Sequence, residues 1–182
     1  EKIKYGQQEN PIHGILFDAA YLWEEYLTTI LTKQGFTHPN NKKGTGRIYL
    51  AKGHKFPRYL DFFRKSDGTI VDAKYKMATE KREDVHQLVT YMYRLRGKQG
   101  ILIHPTFQAH AITRHSLRGY GEDDNAELET YLFHIPQQAA DYPDFVSKMA
   151  VSEELLQKHL QGNKIFIESH FLRTFTPAIK TN

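Results

Sequence analysis

The chain has 182 residues, 40% hydrophobic and 25% charged, with a net charge of +4, which suits one soluble domain able to bury a real core. It contains no cysteine, which excludes thiolate zinc sites, iron–sulfur clusters and a cysteine nucleophile and fits a reducing compartment. No apolar run approaches the roughly 18 to 20 residues of a bilayer span and no secretion signal opens the chain, so a cytoplasmic protein without a membrane association is expected.

Residues 1–14 are polar and contain Asn10-Pro11 and Gly14, which reads as a lead-in arm. From Ile15 to about Gln34, the positions Leu16, Ala19, Ala20, Trp23, Leu27 and Ile30 fall within about 100° of one another, which predicts an amphipathic helix stopped by Gly35. Glu24 borders that apolar stripe and can reach an interior site, whereas Glu25 points away. The loop-like stretch His38 to Gly46 leads to a short strand over Arg47 to Ala51, followed by a Gly53-His-Lys-Phe-Pro57 connection.

Two alternating runs between Arg58 and Lys76 flank Ser66-Asp67-Gly68-Thr69, the strongest hairpin signal in the chain. With Asp67 and Gly68 filling a two-residue turn, Ser66 pairs with Thr69, Phe63 lies opposite Asp72 and Asp61 opposite Lys74. Alternation then puts Asp61, Asp72, Lys74 and Lys76 on one face, and Leu60, Phe62, Val71, Ala73 and Tyr75 on the other. Two carboxylates and a lysine converge.

Thr79 to Arg96 reads as a second helix ended by Gly97, with Val85, Leu88, Met92 and Leu95 as its core stripe and Glu80, Asp84, Gln87 and Tyr91 along one edge. Gly100 to His104, before Pro105, resembles a buried strand, and Gln108 to Arg114 and Thr130 to Ile135 read as further strands on either side of an acidic loop at 121–125. Pro143 to Leu160 reads as a helix with an interruption at Val151-Ser152, and Ile165 to Glu168 as a late strand. This order predicts an α/β fold, a mixed central β-sheet flanked by helices, in which the helix over 79–96 is a right-handed crossover.

Between Lys42 and Lys98 there are 15 Lys and Arg against 6 Asp and Glu, while the rest of the chain holds 10 against 15. A basic patch of this kind attracts phosphates through counterion release and makes nucleic acid the natural partner; Lys55, Arg58, Lys76 and Arg82 are its candidate DNA contacts. Phosphodiester hydrolysis needs an activated water and stabilisation of the charge that grows on phosphate oxygens. Magnesium, or manganese in its place, supplies much of this when held by a few carboxylates with positions left open for substrate. Asp61 and Asp72 on adjacent strands suit that task, with the Ala73 carbonyl as an extra ligand. Lys74 fits a role orienting the water or stabilising the phosphate, because acting as a base would require its pKa of about 10.4 to fall considerably.

In chain order, Glu24, Asp61, Asp72-Ala-Lys74 and Gln87-Leu-Val-Thr-Tyr91 resemble the PD-(D/E)xK nuclease superfamily. Within it, Leu22-Trp-Glu-Glu-Tyr26, Asp72-Ala-Lys-Tyr-Lys76 and the run from Arg82 to Tyr91 resemble the nuclease domain of McrC-type subunits of McrBC modification-dependent restriction systems. The resemblance covers roughly residues 15–104; residues 105–182 form an extension with no matching motif. Leu60 stands where the superfamily usually has a proline before the first acid, and because proline is not a ligand the role of Asp61 survives the change. The resemblance implies a restriction-endonuclease-like core and magnesium-dependent endonucleolytic cleavage of DNA. It implies that Glu24, Asp61 and Asp72 surround the metal, that Lys74 lies at the water or phosphate, and that Gln87 and Tyr91 support the site. It also implies an AAA+ GTPase motor as partner, and since the chain has no GxxxxGK[ST] phosphate loop, nucleotide hydrolysis would belong to that partner. The start at Glu1 is expected of a fragment whose motor-binding segment precedes it.

Two other readings keep the same core: a stand-alone DNA repair nuclease or junction resolvase, and a catalytically inactive DNA-binding or assembly module. A Ser–His–Asp hydrolase is disfavoured by the absence of a GxSxG elbow and of a nucleophile partner for His104, His110 or His115. The acidic run at 122–124 is expected to be a solvated loop, and His54 either a phosphate contact or plain surface.

Overall fold

The computed structural model describes residues 18–40, 43–76, 81–119 and 125–162. The lead-in arm, the acidic run at 122–124 and the strand expected at 165–168 lie outside them. The first helix, α1 (Ala19–Leu31), starts where the Asp18 carboxylate accepts a hydrogen bond from the Tyr21 N–H, and it runs through a short 3-10 turn (Thr32–Gln34) to Gly35. Its buried residues are Trp23, Leu27, Ile30 and Leu31. Trp23, Leu27 and Ile30 belong to the expected stripe, whereas Ala20 is exposed.

Strands β1 (Arg47–Ala51) and β2 (Lys55–Tyr59) form a two-stranded antiparallel ribbon of their own. The residues expected to form only a connection at 53–57 therefore contribute most of a strand. Pro57 is tolerated there because a two-stranded ribbon has only edges. The remaining strands are β3 (Phe62–Arg64), β4 (Thr69–Ala73), β5 (Gln99–Thr106), β6 (Ala111–Leu117) and β7 (Ala126–His134). They build one sheet in the order β3-β4-β5-β7-β6, with β4, β5 and β7 parallel and both edges antiparallel.

Helices cover both faces of this sheet. On one side α1 and α3 (Tyr142–Leu160) bury Trp23, Leu27, Ile30, Leu156 and Leu160 against Phe62, Val71, Ile101, Ile103, Tyr131 and Phe133. On the other, α2 (Arg82–Leu95) packs Leu88, Tyr91 and Met92 against Leu60, Ile70, Leu102, Ala126 and Leu128. The near-continuous apolar runs of β4 and β5 follow from burial on two faces. The mixed α/β architecture expected from the sequence is the one observed, and it is compatible with a restriction-endonuclease-like core. No described helix is long and apolar enough to cross a membrane.

The hairpin register differs from the expected one by two residues. Phe62 pairs with Val71 and Arg64 with Thr69, leaving four residues, 65–68, in the turn. The Asp67 carboxylate is the cause: it accepts from the Thr69 N–H and hydroxyl and from the Arg64 guanidinium, and the Gly68 N–H reaches back to the Arg64 carbonyl at 2.9 Å. Of the four turn residues only Gly68 takes a positive φ, +73°, so the type I′ turn, which needs two such residues, does not form. An even shift leaves every side chain of the paired strands on its expected face. Asp61 arrives level with Asp72 rather than Lys74.

The face assignment does fail at Leu60. The run from Arg58 is broken at Leu60 and Asp61, between β2 and β3, and Leu60 packs with Ile70 and Leu88 on the α2 side instead of with Phe62 and Val71. Lys76 also lies past the end of β4 and is exposed, so it does not continue the strand face. Arg96, not Gly97, is the left-handed residue that closes α2. Gly97 serves close approach instead, since a Cβ there would stand 2.5 Å from the Gly68 carbonyl oxygen. Strand β5 runs through Pro105, whose missing N–H falls on the side where β4 has already ended. Helix α3 continues through Val151 and Ser152 without interruption.

Candidate active site

The candidate residues gather where the parallel strands β4 and β5 reach their carboxyl ends, the usual position of ligand sites in sheets of this kind. Asp72 sits on β4 between the sheet and α2 and is 1% exposed. Its Oδ2 lies 2.6 Å from Lys74 Nζ, a contact that is a charge pair rather than a well-aligned hydrogen bond, and Oδ2 has no other hydrogen-bond partner among the described residues. Its Oδ1 accepts a long bond from Gln87 Nε2 at 3.4 Å. Gln87 Nε2 also lies 2.7 Å from the Tyr91 hydroxyl, which donates to the Tyr59 carbonyl at 2.9 Å. Gln87 and Tyr91, one helical turn apart on α2, thus tie Asp72 to the end of the β1–β2 ribbon.

Asp61 is placed by the bend that separates β2 from β3. Because β3 begins only at Phe62, the Ala73 N–H has no strand partner on that side, and Asp61 Oδ2 accepts it at 2.9 Å. The N–H and C=O of one residue in a strand point the same way, so the Ala73 carbonyl faces the same side as Asp61. Asp61 and Asp72 stand within hydrogen-bonding reach of each other, which two ionised carboxylates cannot satisfy. Burial, then the neighbouring Glu24, pushes Asp61 up to about 6; burial, then Asp61, pushes Asp72 up to about 7. Lys74 keeps its proton: burial opposes the charge, but Asp72, followed by Asp84, outweighs it and raises the lysine pKa.

Glu24, on α1, is half-buried, and burial is the main cause of its raised pKa, with Asp72 adding to it and His38 opposing. It feels Asp61, Asp72 and Lys74 without joining their hydrogen bonds. Lys55, Arg58, Lys76 and Arg82 are all exposed. Arg58 lines a groove of about 630 Å³ between β2 and α2 that leads to Gln87 and Tyr91. His54 stacks edge-on against Tyr49 in the ribbon turn.

Two residues without an assigned role in the sequence reading enter the site. Asp84 lies 3.5 Å from Lys74 Nζ and shares that ammonium with Asp72. The signal for it was its position on the α2 edge beside Gln87 and Tyr91. His38 Nδ1 lies 2.8 Å from the Asp61 carbonyl and its ring packs on Phe62, fixing the bend from the α1 side. Nothing in its loop-like surroundings marked it.

The donor set is hard oxygen only, the chemistry of magnesium, calcium or manganese sites. No three His, Asp or Glu side chains among the described residues stand together as a ready cation cage. Magnesium commonly uses one or two carboxylates and leaves the remaining positions to water and substrate phosphate, so the Asp61–Asp72 pair with the Ala73 carbonyl fits it. The doubly acidic character of the pair is what a divalent cation would relieve.

A family model described as "McrBC 5-methylcytosine restriction system component" matches residues 1–105. A comparison with curated proteins gives no match.

Proposed function

From the premise that the chain belongs to the McrBC 5-methylcytosine restriction system component family, we propose that it is the DNA-cleaving element of such a system, a magnesium-dependent endodeoxyribonuclease of the PD-(D/E)xK type. The observation that carries this reading is the buried Asp61–Asp72 pair with the Lys74 ammonium against it, at the end of two parallel strands. Two adjacent carboxyls that cannot both ionise alone are a poor structural device and a good cation site.

Asp61, Asp72 and the Ala73 carbonyl would hold the ion, with Glu24, which acts on Asp61 and Asp72 electrostatically, adding negative charge beside them. Bound there, magnesium or manganese supplies charge neutralisation at the phosphate and a more acidic water. Lys74, kept cationic by Asp72 and Asp84, stabilises the growing negative charge on the phosphate oxygens and positions the attacking water. Gln87 holds the Asp72 carboxylate in place, and Tyr91 holds Gln87. Lys55, Arg58, Lys76 and Arg82 contribute the basic surface on which a DNA backbone is retained. Nucleotide hydrolysis in such a restriction complex would belong to an AAA+ GTPase motor subunit, since these 182 residues carry no phosphate-binding loop.

Cleavage of a circular plasmid carrying methylated cytosine, with magnesium and with or without the motor subunit and GTP, tests the proposal. The wild type is expected to linearise the circle, and Asp72→Asn and Lys74→Ala to leave it intact while remaining folded. Wild-type cutting by both variants would remove the site; cutting of linear ends only, independent of any motor, would favour the repair-nuclease reading.

A further inference from the structure

The β1–β2 ribbon stands apart from the five-stranded sheet. From Lys43 to Leu60 the chain carries five cationic residues, Lys43, Arg47, Lys52, Lys55 and Arg58, and no Asp or Glu. Every residue of β2 is exposed, including Phe56, which is 60% exposed. Phe56 also has a φ of +57°, a left-handed conformation that is strained for a bulky residue, and His54 and Gly53 beside it share that region. A large apolar ring held outward by a strained backbone among lysines does nothing for the core of the protein, and strain of this kind concentrates where a chain binds something.

The ribbon is anchored at its base. Arg94 Nε donates to the Tyr49 carbonyl, the Leu60 N–H to the Gly46 carbonyl, and the Tyr91 hydroxyl to the Tyr59 carbonyl. Tyr59 leads directly into Leu60 and Asp61, so whatever the ribbon grips is held in register with the acidic pair. A two-stranded ribbon is one of the few elements that fits the major groove of a DNA duplex, where an apolar ring can meet the thymine methyl.

We propose that the β1–β2 ribbon is a duplex-DNA docking arm, in which Lys52, Lys55 and Arg58 seat on backbone phosphates and Phe56 contacts the bases. This rests on the nuclease reading for its purpose but not for its test. Extended chain from Phe56 to Asp61 spans at most about 17 Å at ~3.3 Å per residue, the rise of about five base-pair steps at ~3.4 Å each, so one short duplex reaches both the ring and the acidic pair. The groove between β2 and α2, lined by Arg58, Tyr59, Glu83, His86 and Thr90, continues toward Gln87.

The experiment measures binding of the full chain to a fluorescein-labelled 30-base-pair duplex by anisotropy in EDTA, where nothing is cut, across a salt series. Lys52→Gln/Lys55→Gln is expected to bind about tenfold more weakly and to lower the salt slope by about 1.8, the loss of two phosphate contacts. Phe56→Ala is expected to weaken binding about tenfold with the slope unchanged, and to lose the change in fluorescence that the wild type produces in 2-aminopurine placed near the ring. Wild-type affinity and slope in the double lysine variant would overturn the docking arm, and wild-type affinity and fluorescence in Phe56→Ala would overturn the base contact. Failure of the nuclease reading looks different: ribbon-dependent binding persists, but no cut appears when magnesium is added.

Discussion

Among the described residues two carboxylates are equally buried, Asp72 beneath α2 and Glu129 beneath α3, each 1% exposed. Glu129 is satisfied on both oxygens: Arg114 Nε donates to one at 2.9 Å and His159 Nε2 contacts the other. Asp72 faces a second carboxyl, takes one long bond from an amide and leaves Oδ2 to a lysine charge alone. Burial is therefore common to both and cannot distinguish a structural acid from a working one. What separates them is whether the surroundings answer the charge. Arg114 and His159 between them meet both oxygens of Glu129, while Asp61 and Asp72 have the single ammonium of Lys74, which Asp84 also shares.

The largest expected effects reverse between the two positions. Asp72→Asn should lower magnesium-dependent cleavage by at least about a thousandfold, while changing stability in urea by no more than about 1 kcal/mol, because it removes a repulsion as well as an ion pair. Glu129→Gln should leave cleavage per folded molecule near wild type and cost about 2–3 kcal/mol in the same titration, because His159 and Arg114 lose the charge they were arranged around. A stability loss at Asp72 matching that at Glu129 would erase the distinction.

The same contrast separates what could be read from the chain from what could not. Both sides of the site hairpin were legible because alternation has a period of two, and a register shift of two residues, imposed by the Asp67 side chain, keeps Asp61 and Asp72 together. Helix stripes through Trp23 and Leu27, and through Leu88 and Met92, were legible for the same periodic reason. Prolines misled twice: Pro57 hid β2 and Pro105 seemed to end β5, and in both cases the missing N–H faces a position with no strand to receive it. Arg114 and His159 meet Glu129 from 15 and 30 residues away. Such pairings have no local pattern and only the assembled sheet and helix bring them together. His38 escaped notice because a loop residue that holds a bend leaves no periodic trace.

Charge imbalance at the site also predicts a pH signature. The folded-state pKa values of Asp61 and Asp72, about 6 and about 7, lie above the ordinary aspartate value. Between about pH 4 and pH 7 the folded protein then holds more protons than the unfolded chain, so metal-free stability is greatest at the acid end of that window and falls as pH rises through the folded values. The loss is on the order of a few kcal/mol, since the pair shares one proton. Urea titrations from pH 4.5 to 8 should show this slope in wild type and a flatter one in Asp61→Asn/Asp72→Asn. Magnesium should counter it, raising Tm more at pH 8 than at pH 5 because ion and proton compete for the same oxygens. A Tm gain independent of pH would place the ion elsewhere.

The smallest effect concerns the link between the site and the ribbon. Tyr91→Phe keeps the ring that fills the α2 core but removes the hydroxyl that lies against Gln87 and donates to the Tyr59 carbonyl. Gln87 then loses the neighbour that holds it toward Asp72, and the ribbon loses one of its anchors. Stability should fall by about 1 kcal/mol, the cost of an unmade hydrogen bond at a partly buried carbonyl, and cleavage by about threefold to tenfold rather than to zero, because neither the proposed metal ligands nor Lys74 is touched. Amide exchange in β1 and β2 should quicken in the variant while that of β7, beside Glu129, stays unchanged. Equal quickening in β7 would mean that the two halves of the sheet loosen as one, and that the working and the structural carboxylate are not independent after all.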